Sequence, residues 1–266
     1  MGKSNIRVIA NFNKYKYLLS QLIIKDIKLK YRRSYLGIVW TLIEPLLTMI
    51  ILTMVFSAFL GKDGQASGIP FPVYILAGRL LYTFFSGATK GAMKAIRSNA
   101  AMIKKVYVPK YMYPLASILS NFLIFLISLV VLLGVAVVFR IEPNIWMLAS
   151  VLPLILLLLM CIGVGLILST MAVFFRDLEY LWGVALMLIM YTCAIFYEPD
   201  KLYEKGYGLL LDINPLYGVI RNFRNCISGV GLHAPSMIYC LIFGVVTVIL
   251  GTIIFYKKQD DFILNL

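Results

Sequence analysis

Six stretches of this 266-residue chain are apolar over lengths that match the hydrocarbon of a bilayer, and no other property restricts its fold so tightly. They cover residues 36–60, 71–89, 113–139, 146–174, 181–197 and 236–256. A helix needs about 20 residues to cross ~30 Å of hydrocarbon, and there only helices and closed barrels satisfy their own backbone polar groups. The chain is 61% hydrophobic and 14% charged, with a mean hydropathy of +0.90, far too apolar for one soluble core to hide. The expectation is therefore an all-α membrane protein with six transmembrane helices. What lies between the runs is too short for a separate catalytic domain. No secretory signal precedes the first run, which must act as its own insertion signal.

A formal charge of +13 raises the question of nucleic acid, but its distribution points to lipid. Eighteen Lys and Arg residues fall on one side of the six-span topology: before the first run, in the second and fourth connections, and after the sixth run. Six fall on the other side, and Arg79 lies within a run. The positive-inside rule then places both termini in the cytoplasm, with the basic excess facing anionic headgroups and no nucleic-acid partner. Cys161, Cys193, Cys226 and Cys240 lack CxxC or ligand-like spacing, which argues against a metal or redox role.

The pivot of the chain is YRRSYLGIVWTLIEPLL at 31–47, where a basic segment passes straight into the first apolar run. That run carries one acid, Glu44, followed by Pro45. At ~1.5 Å per residue Glu44 lies about 12 Å from one end of its helix, and Arg79 about 12 Å from the opposite end of the next. At such depth a charge needs a reason. Glu44 and Arg79 read either as a structural pair between helices or as substrate contacts, and Gly78-Arg79 interrupts the second run.

Before the pivot, Lys14, Gln21, Lys25, Lys28 and Arg32 recur at helical steps opposite Leu18, Leu19, Leu22, Ile23, Ile27 and Tyr31. This predicts a helix in the interface plane, either a plain surface anchor or a frame through which an anionic lipid-linked substrate is admitted. After the second run, Arg97-Ser98-Asn99 offers a polar capping pair ahead of a short amphipathic stretch with Met102, Ile103 and Val106 on its surface. Lys104, Lys105 and Tyr107 follow, and Pro109 ends it. The stretch is either an ordinary basic loop or a knuckle shaped to enter a groove on another protein. Arg176 and Asp177, with Glu179 close by, read as a local ion pair or as contact with a cytosolic partner. In the last connection, Asn214-Pro215 predicts the start of a helix that Gly229 and Gly231 end. That helix is too short and charged to span, so it dips into or lies on the outer half of the bilayer. His233 is expected in solvent, and the segment GKDGQASGIPFP as a plain loop.

The sequence lacks GxxxxGK[ST], so it does not cradle nucleotide phosphates in the P-loop manner, and it carries neither a Ser/His/Asp set nor paired carboxylates at a membrane face. Taken in order, YRRSYLGIVWTLIEPLL, NAAMIKKVYVPKYMYPLASILSNF, FFRDLEYL and NPLYGVIRNFRN, with six spans, resemble the membrane subunit of ABC-2-type polysaccharide exporters, the family of O-antigen and teichoic-acid permeases. The likeness covers nearly the whole chain. It departs from the family's usual pattern at Gly78-Arg79, at Tyr82 and at 193–197.

The resemblance implies a non-enzymatic subunit in the bacterial plasma membrane, paired with a second copy and two ATP-binding cassette subunits. ATP and Mg sit on those subunits, and this chain binds no cofactor. It implies a cytosolic N-terminus with its interface helix (1–35), a six-span domain (36–258) and a cytosolic tail (259–266). Within the six-span domain it implies a coupling helix (97–109) and an outer gate segment (212–231). Coupling to the ATPase then falls to Arg97, Ser98, Asn99, Met102, Ile103, Lys104, Lys105, Val106, Tyr107 and Pro109, with Arg176 and Asp177. The outer gate falls to Asn214, Pro215, Tyr217, Arg221 and Arg224. The substrate implied is a polyprenyl-pyrophosphate-linked glycan. Its pyrophosphate would meet Lys28, Lys30, Arg32 or Arg33, and its sugars could stack on Tyr35, Trp40, Tyr82, Phe84, Phe85 or Tyr191, with Arg79 a substrate-specific feature. The rings also fit an aromatic belt at the bilayer boundary. The competing functions are an ABC-2 permease for drugs or lipids, an ion-coupled carrier, and a membrane enzyme acting on glycan lipids.

Overall fold

The computed structural model describes the backbone of residues 2–32, 34–60, 65–66, 68–105 and 108–262. Side chains are described for 15–32, 34–57, 68–105, 108–200 and 202–262. The fold is helical: α1 (Gly2–Tyr31), α2 (Trp40–Leu60, entered through a 3-10 turn at Gly37–Val39), α3 (Phe71–Ser98), α4 (Ala100–Ile103) and α5 (Met112–Val138). There follow α6 (Trp146–Ala149), α7 (Val151–Phe174), α8 (Leu178–Tyr191), α9 (Asp200–Glu204), α10 (Gly208–Asp212), α11 (Pro215–Ser228) and α12 (Ala234–Lys258). The segment expected as a plain loop holds a minimal antiparallel ribbon, β1 (Gln65–Ala66) with β2 (Ile69–Pro70).

Among the described residues, four helices are long and apolar enough to cross a membrane: Gly37–Ser57, Met112–Val138, Trp146–Phe174 and Ala234–Lys258. Two of the six expected spans differ in kind. Helix α3 is 28 residues long, or ~42 Å, but carries Arg79, Lys90, Lys94 and Arg97. Lys90 and Lys94 are exposed and Arg79 and Arg97 half-buried, while the apolar residues of α3 are buried from Phe71 to Ile96 between α5 and α7, with α2, α8 and α11 also against it. It runs without a break through Gly78-Arg79, contrary to the interruption expected there. Helix α8 has only 14 residues, ~21 Å, and ends at Tyr191 although residues 193–196 remain apolar and buried. The chain turns there instead, with Ala194 at φ 48°.

Close backbone approach, rather than side-chain bulk, joins α7 to α12. A Cβ on Gly163 would strike the backbone of Thr247 and Val248, and one on Gly251 would lie 2.8 Å from the Gly163 carbonyl oxygen. Small residues at such a crossing let dispersion contacts act where lipid removes the hydrophobic driving force. His233 is half-buried rather than solvated: its amide donates to Asn222 Oδ1 (2.6 Å) and its Nδ1 lies 3.1 Å from Ser236 Oγ.

Candidate functional site

Between α2, α3 and α5 lies a cavity of about 330 Å³. Trp40, Glu44 and Thr48 face it from α2, Arg79, Thr83 and Phe84 from α3, and Asn121, Phe125 and Ser128 from α5, with Lys30 and Tyr31 at its α1 end. A second cavity of about 350 Å³, holding Asp26, Ser98, Asn99 and Ser117, shares Lys30, Asn121 and Ile124 with the first. Together they make one cleft along the bundle, in which polar groups are set among apolar walls. Burial pushes the Asp26 carboxyl above its ordinary range against the pull of Lys25. Lys30 is exposed overall, yet partial desolvation holds its ammonium below its usual value and Glu44 draws it part of the way back.

Pro45 shapes this cleft. Lacking an N–H, it cannot donate to the Thr41 carbonyl one turn earlier, and Ser128 Oγ of α5 reaches that carbonyl instead at 3.1 Å, sharing its proton with the Ile124 carbonyl of its own helix at the same distance. The repair fastens α2 to α5 beside Glu44. The expected Glu44–Arg79 pair is not formed: both line the cavity, but Arg79 donates to Met190 Sδ (3.5 Å) and lies 5.8 Å from the Tyr82 ring centre. The charge of Glu44 acts on Lys30 instead, because α1 ends at the cavity mouth.

Of the residues expected at the substrate, the cleft collects Lys30, Trp40, Arg79 and Phe84. Lys28 and Arg32 are exposed on α1 and just beyond it, while Arg33 lies outside the described residues. Tyr82 and Phe85 are packed inside the protein: the Tyr82 hydroxyl donates to the Leu186 carbonyl (2.9 Å), and Phe85 stands tilted against Trp182. A buried phenol needs an acceptor, and α8 provides one; neither ring lines the cleft. Tyr35 and Tyr191 are exposed away from the cleft. Sequence reading passed over Ser117, Ser120, Asn121 and Ser128. Their signal is a polar stripe at helical spacing along one face of an otherwise apolar helix.

The knuckle after α3 is a single turn, α4. Met102, Lys104 and Lys105 are exposed on it, but Ile103 turns inward against Leu19, Leu22, Ile96 and Phe262, so the expected apolar triplet is not a surface feature. Val106 and Tyr107 lie outside the described residues, and Pro109 is half-buried. Asn99 does not cap α4 with its side chain. Its Nδ2 donates to the Ala95 carbonyl (2.8 Å) and its Oδ1 accepts from Lys25 Nζ of α1 (2.6 Å). Ser98 likewise donates back to Ala95. Arg97 pairs with Glu179 of α8, which also holds Lys94 at 3.1 Å. Arg176 and Asp177 are exposed beside that cluster without forming an ion pair among the described residues. Helix α1 also lays Leu19 and Leu22 onto the ends of α3 and α5, so part of its apolar face packs on protein.

At the other end, α11 has the boundaries its sequence predicts. Asn214 Oδ1 accepts from the Leu216 amide (3.0 Å), Pro215 is the first helical residue, and Gly229 closes the helix at φ 80°. The Asn214 amide also donates to Thr192 Oγ1 (2.9 Å). Arg224 is buried where α8 breaks. It donates to the carbonyls of Tyr74 (2.9 and 3.1 Å), Ala194 (2.9 Å) and Ile195 (3.2 Å), and its guanidinium stacks 3.4 Å from the Tyr74 ring centre. Gly78 makes room, since a Cβ there would collide with the Arg224 guanidinium. Non-helical backbone at this depth persists only where protein satisfies it, and Arg224 does so for the turn at 194–195. Tyr217 is buried and Arg221 half-buried, both facing a separate cavity beside α9 and α10.

Residues 17–227 match the profile of the family described as "ABC-2 type transporter". Among curated relatives, an O-antigen export system permease protein of Klebsiella pneumoniae is 28% identical, over 92% of this chain and 95% of its own length. One of Myxococcus xanthus is 25% identical, over 82% and 83%. A polysialic acid transport protein of Escherichia coli is 24% identical, over 94% and 97%.

Proposed function

The chain belongs to the ABC-2 type transporter family, and on that premise we propose that it is the permease subunit of an ATP-driven exporter of lipid-linked polysaccharide in a bacterial plasma membrane. The observation that carries this reading is near full-length similarity to permeases named for O-antigen and polysialic acid. Drug or lipid export, ion-coupled carriage and glycan-lipid enzymology have no such support.

Two copies form the conduit, and two ATP-binding cassette subunits supply the energy, holding ATP and Mg themselves. The six apolar runs act as six spans, α3 crossing as the shielded hub and α8 with residues 192–197 completing the fifth. Both termini face the cytosol, in line with the charge bias. The exposed Met102, Lys104 and Lys105 engage the ATP-binding subunit. Motion there reaches α1 through Lys25–Asn99 and α8 through Glu179–Arg97. Lys28, Lys30 and Arg32 receive the pyrophosphate at headgroup depth, and the stripe of hydroxyl and amide groups on α5 meets the first sugars. A partner that binds one arrangement of these links better than another drives the change.

The test is genetic: removing this chain should strip polysaccharide from the cell surface and accumulate its lipid-linked form inside, with both restored by the wild-type copy. Surface glycan at the normal level would reject the function.

A further inference from the structure

The cavity beside α11 is separate from the cleft between α2, α3 and α5. It occupies about 670 Å³ between α9, α10, α11 and the start of α12, within the ~300–1,000 Å³ of small-molecule sites. Asp200, Tyr203, Glu204 and Asp212 face it from α9 and α10, Tyr217 and Arg221 from α11, and His233 and Tyr239 from the start of α12. Tyr217 is 2% exposed and stands beside Tyr203, whose hydroxyl proton is given to Asp212 Oδ1 (2.6 Å); the Tyr217 hydroxyl itself closes no hydrogen bond of good geometry among the described residues. A buried hydroxyl left without a partner is costly, so one bordering a polar cavity marks where a ligand's polar group belongs.

The lining selects the ligand's chemistry. No three acidic, His or Cys groups among the described residues stand close enough to hold a metal ion. Among the described residues that line it, three carboxylates stand against one guanidinium, a balance that disfavours phosphate and acidic sugars. Carboxylates accept strongly from hydroxyl donors, Arg221 donates, and Tyr239 presents a partly exposed ring to an apolar sugar face. We propose that this cavity binds a neutral or amino-bearing saccharide unit of the outgoing glycan. The inference rests on the export function above and adds a specific holding site on the far side of the bundle from the coupling knuckle.

The experiment uses the full-length chain in nanodiscs and, as probe, the glycan released from the producing cells' own surface polysaccharide and freed of lipid. Binding is read by saturation-transfer NMR for wild type, Tyr217→Phe and Asp212→Asn. Tyr217→Phe keeps the buried ring and removes only a hydroxyl that closes no well-formed bond within the protein, so its melting temperature should stay close to the wild-type value while glycan binding weakens about tenfold, a typical cost of one lost hydrogen bond. Asp212→Asn should weaken it at least as much. Equal binding by wild type and both variants, or none by wild type, overturns the site. Neither result touches the export function, which fails only if cells lacking the chain keep their surface glycan.

Discussion

Replacing Arg224 by Met removes, among the described residues, the only side chain that donates to the Ile195 carbonyl and one of two that donate to that of Ala194. The Tyr74 hydroxyl lies 3.0 Å from the Ala194 carbonyl and 2.8 Å from that of Tyr197, and its single proton is shared between them. The Tyr74 carbonyl, inside a helix, keeps its own amide donor. At least the Ile195 carbonyl is therefore orphaned outright, at ~1–3 kcal/mol. The lost cation–π contact with Tyr74 adds up to ~2 kcal/mol, and relief from burying a guanidinium offsets part of this. The net loss is about 2–4 kcal/mol, or a fall of ~5–10 °C in the melting temperature of the detergent-purified chain. Gly78→Leu should produce a loss of the same order by driving the guanidinium out. Because both changes dismantle one clasp, the double variant should melt close to the worse single variant. Fully additive losses, or an Arg224→Met chain that melts at the wild-type temperature, would refute the assignment of Arg224 as the donor that stabilises the turn at 194–195.

Three further outcomes are expected. Ser128→Ala should lower stability by ~1 kcal/mol in thermal unfolding, since the Thr41 carbonyl opposite Pro45 loses its substitute donor; Ser128→Thr should retain most of it. Gly163→Leu should prevent α12 from seating on α7 and abolish recovery of folded protein in fluorescence-detected size exclusion, whereas Gly183→Leu, at a position with open space around it, should not. Lys25→Ala should leave the fold intact, as it severs a single half-buried hydrogen bond to Asn99. Surface polysaccharide should nevertheless fall several-fold while ATP hydrolysis by the assembled exporter continues, and unimpaired export would exclude α1 from the transmission path.

What was legible in the sequence was whatever local chemistry decides. The long apolar runs that became α2, α5, α7 and α12 needed only length and composition. The ends of α11 followed from Asn214, Pro215 and Gly229, each acting within a few residues. Long-range partnerships were not legible. Residues 193–196 stay apolar, so nothing local reveals that α8 stops at Tyr191, and the donor that stabilises the turn, Arg224, lies about 30 residues further on. Glu44 and Arg79 seemed paired by depth, yet depth leaves azimuth undetermined, and Arg79 faces Met190. Ile103 shares the knuckle with Met102 but points the opposite way, a distinction that one turn of helix does not encode without knowing where α1 packs.

The central claim is that force generated by a nucleotide-binding partner enters this chain at its α4 knuckle and drives glycan across the bilayer. The most direct measurement is ATP-dependent appearance of lipid-linked glycan on the far leaflet of proteoliposomes containing the assembled exporter, comparing wild type with Met102→Asp. The account predicts transfer by wild type only when ATP is present, and loss of both transfer and partner binding in Met102→Asp, with its melting temperature unchanged because Met102 is exposed. Transfer that persists without ATP, or at full rate in Met102→Asp, would contradict it.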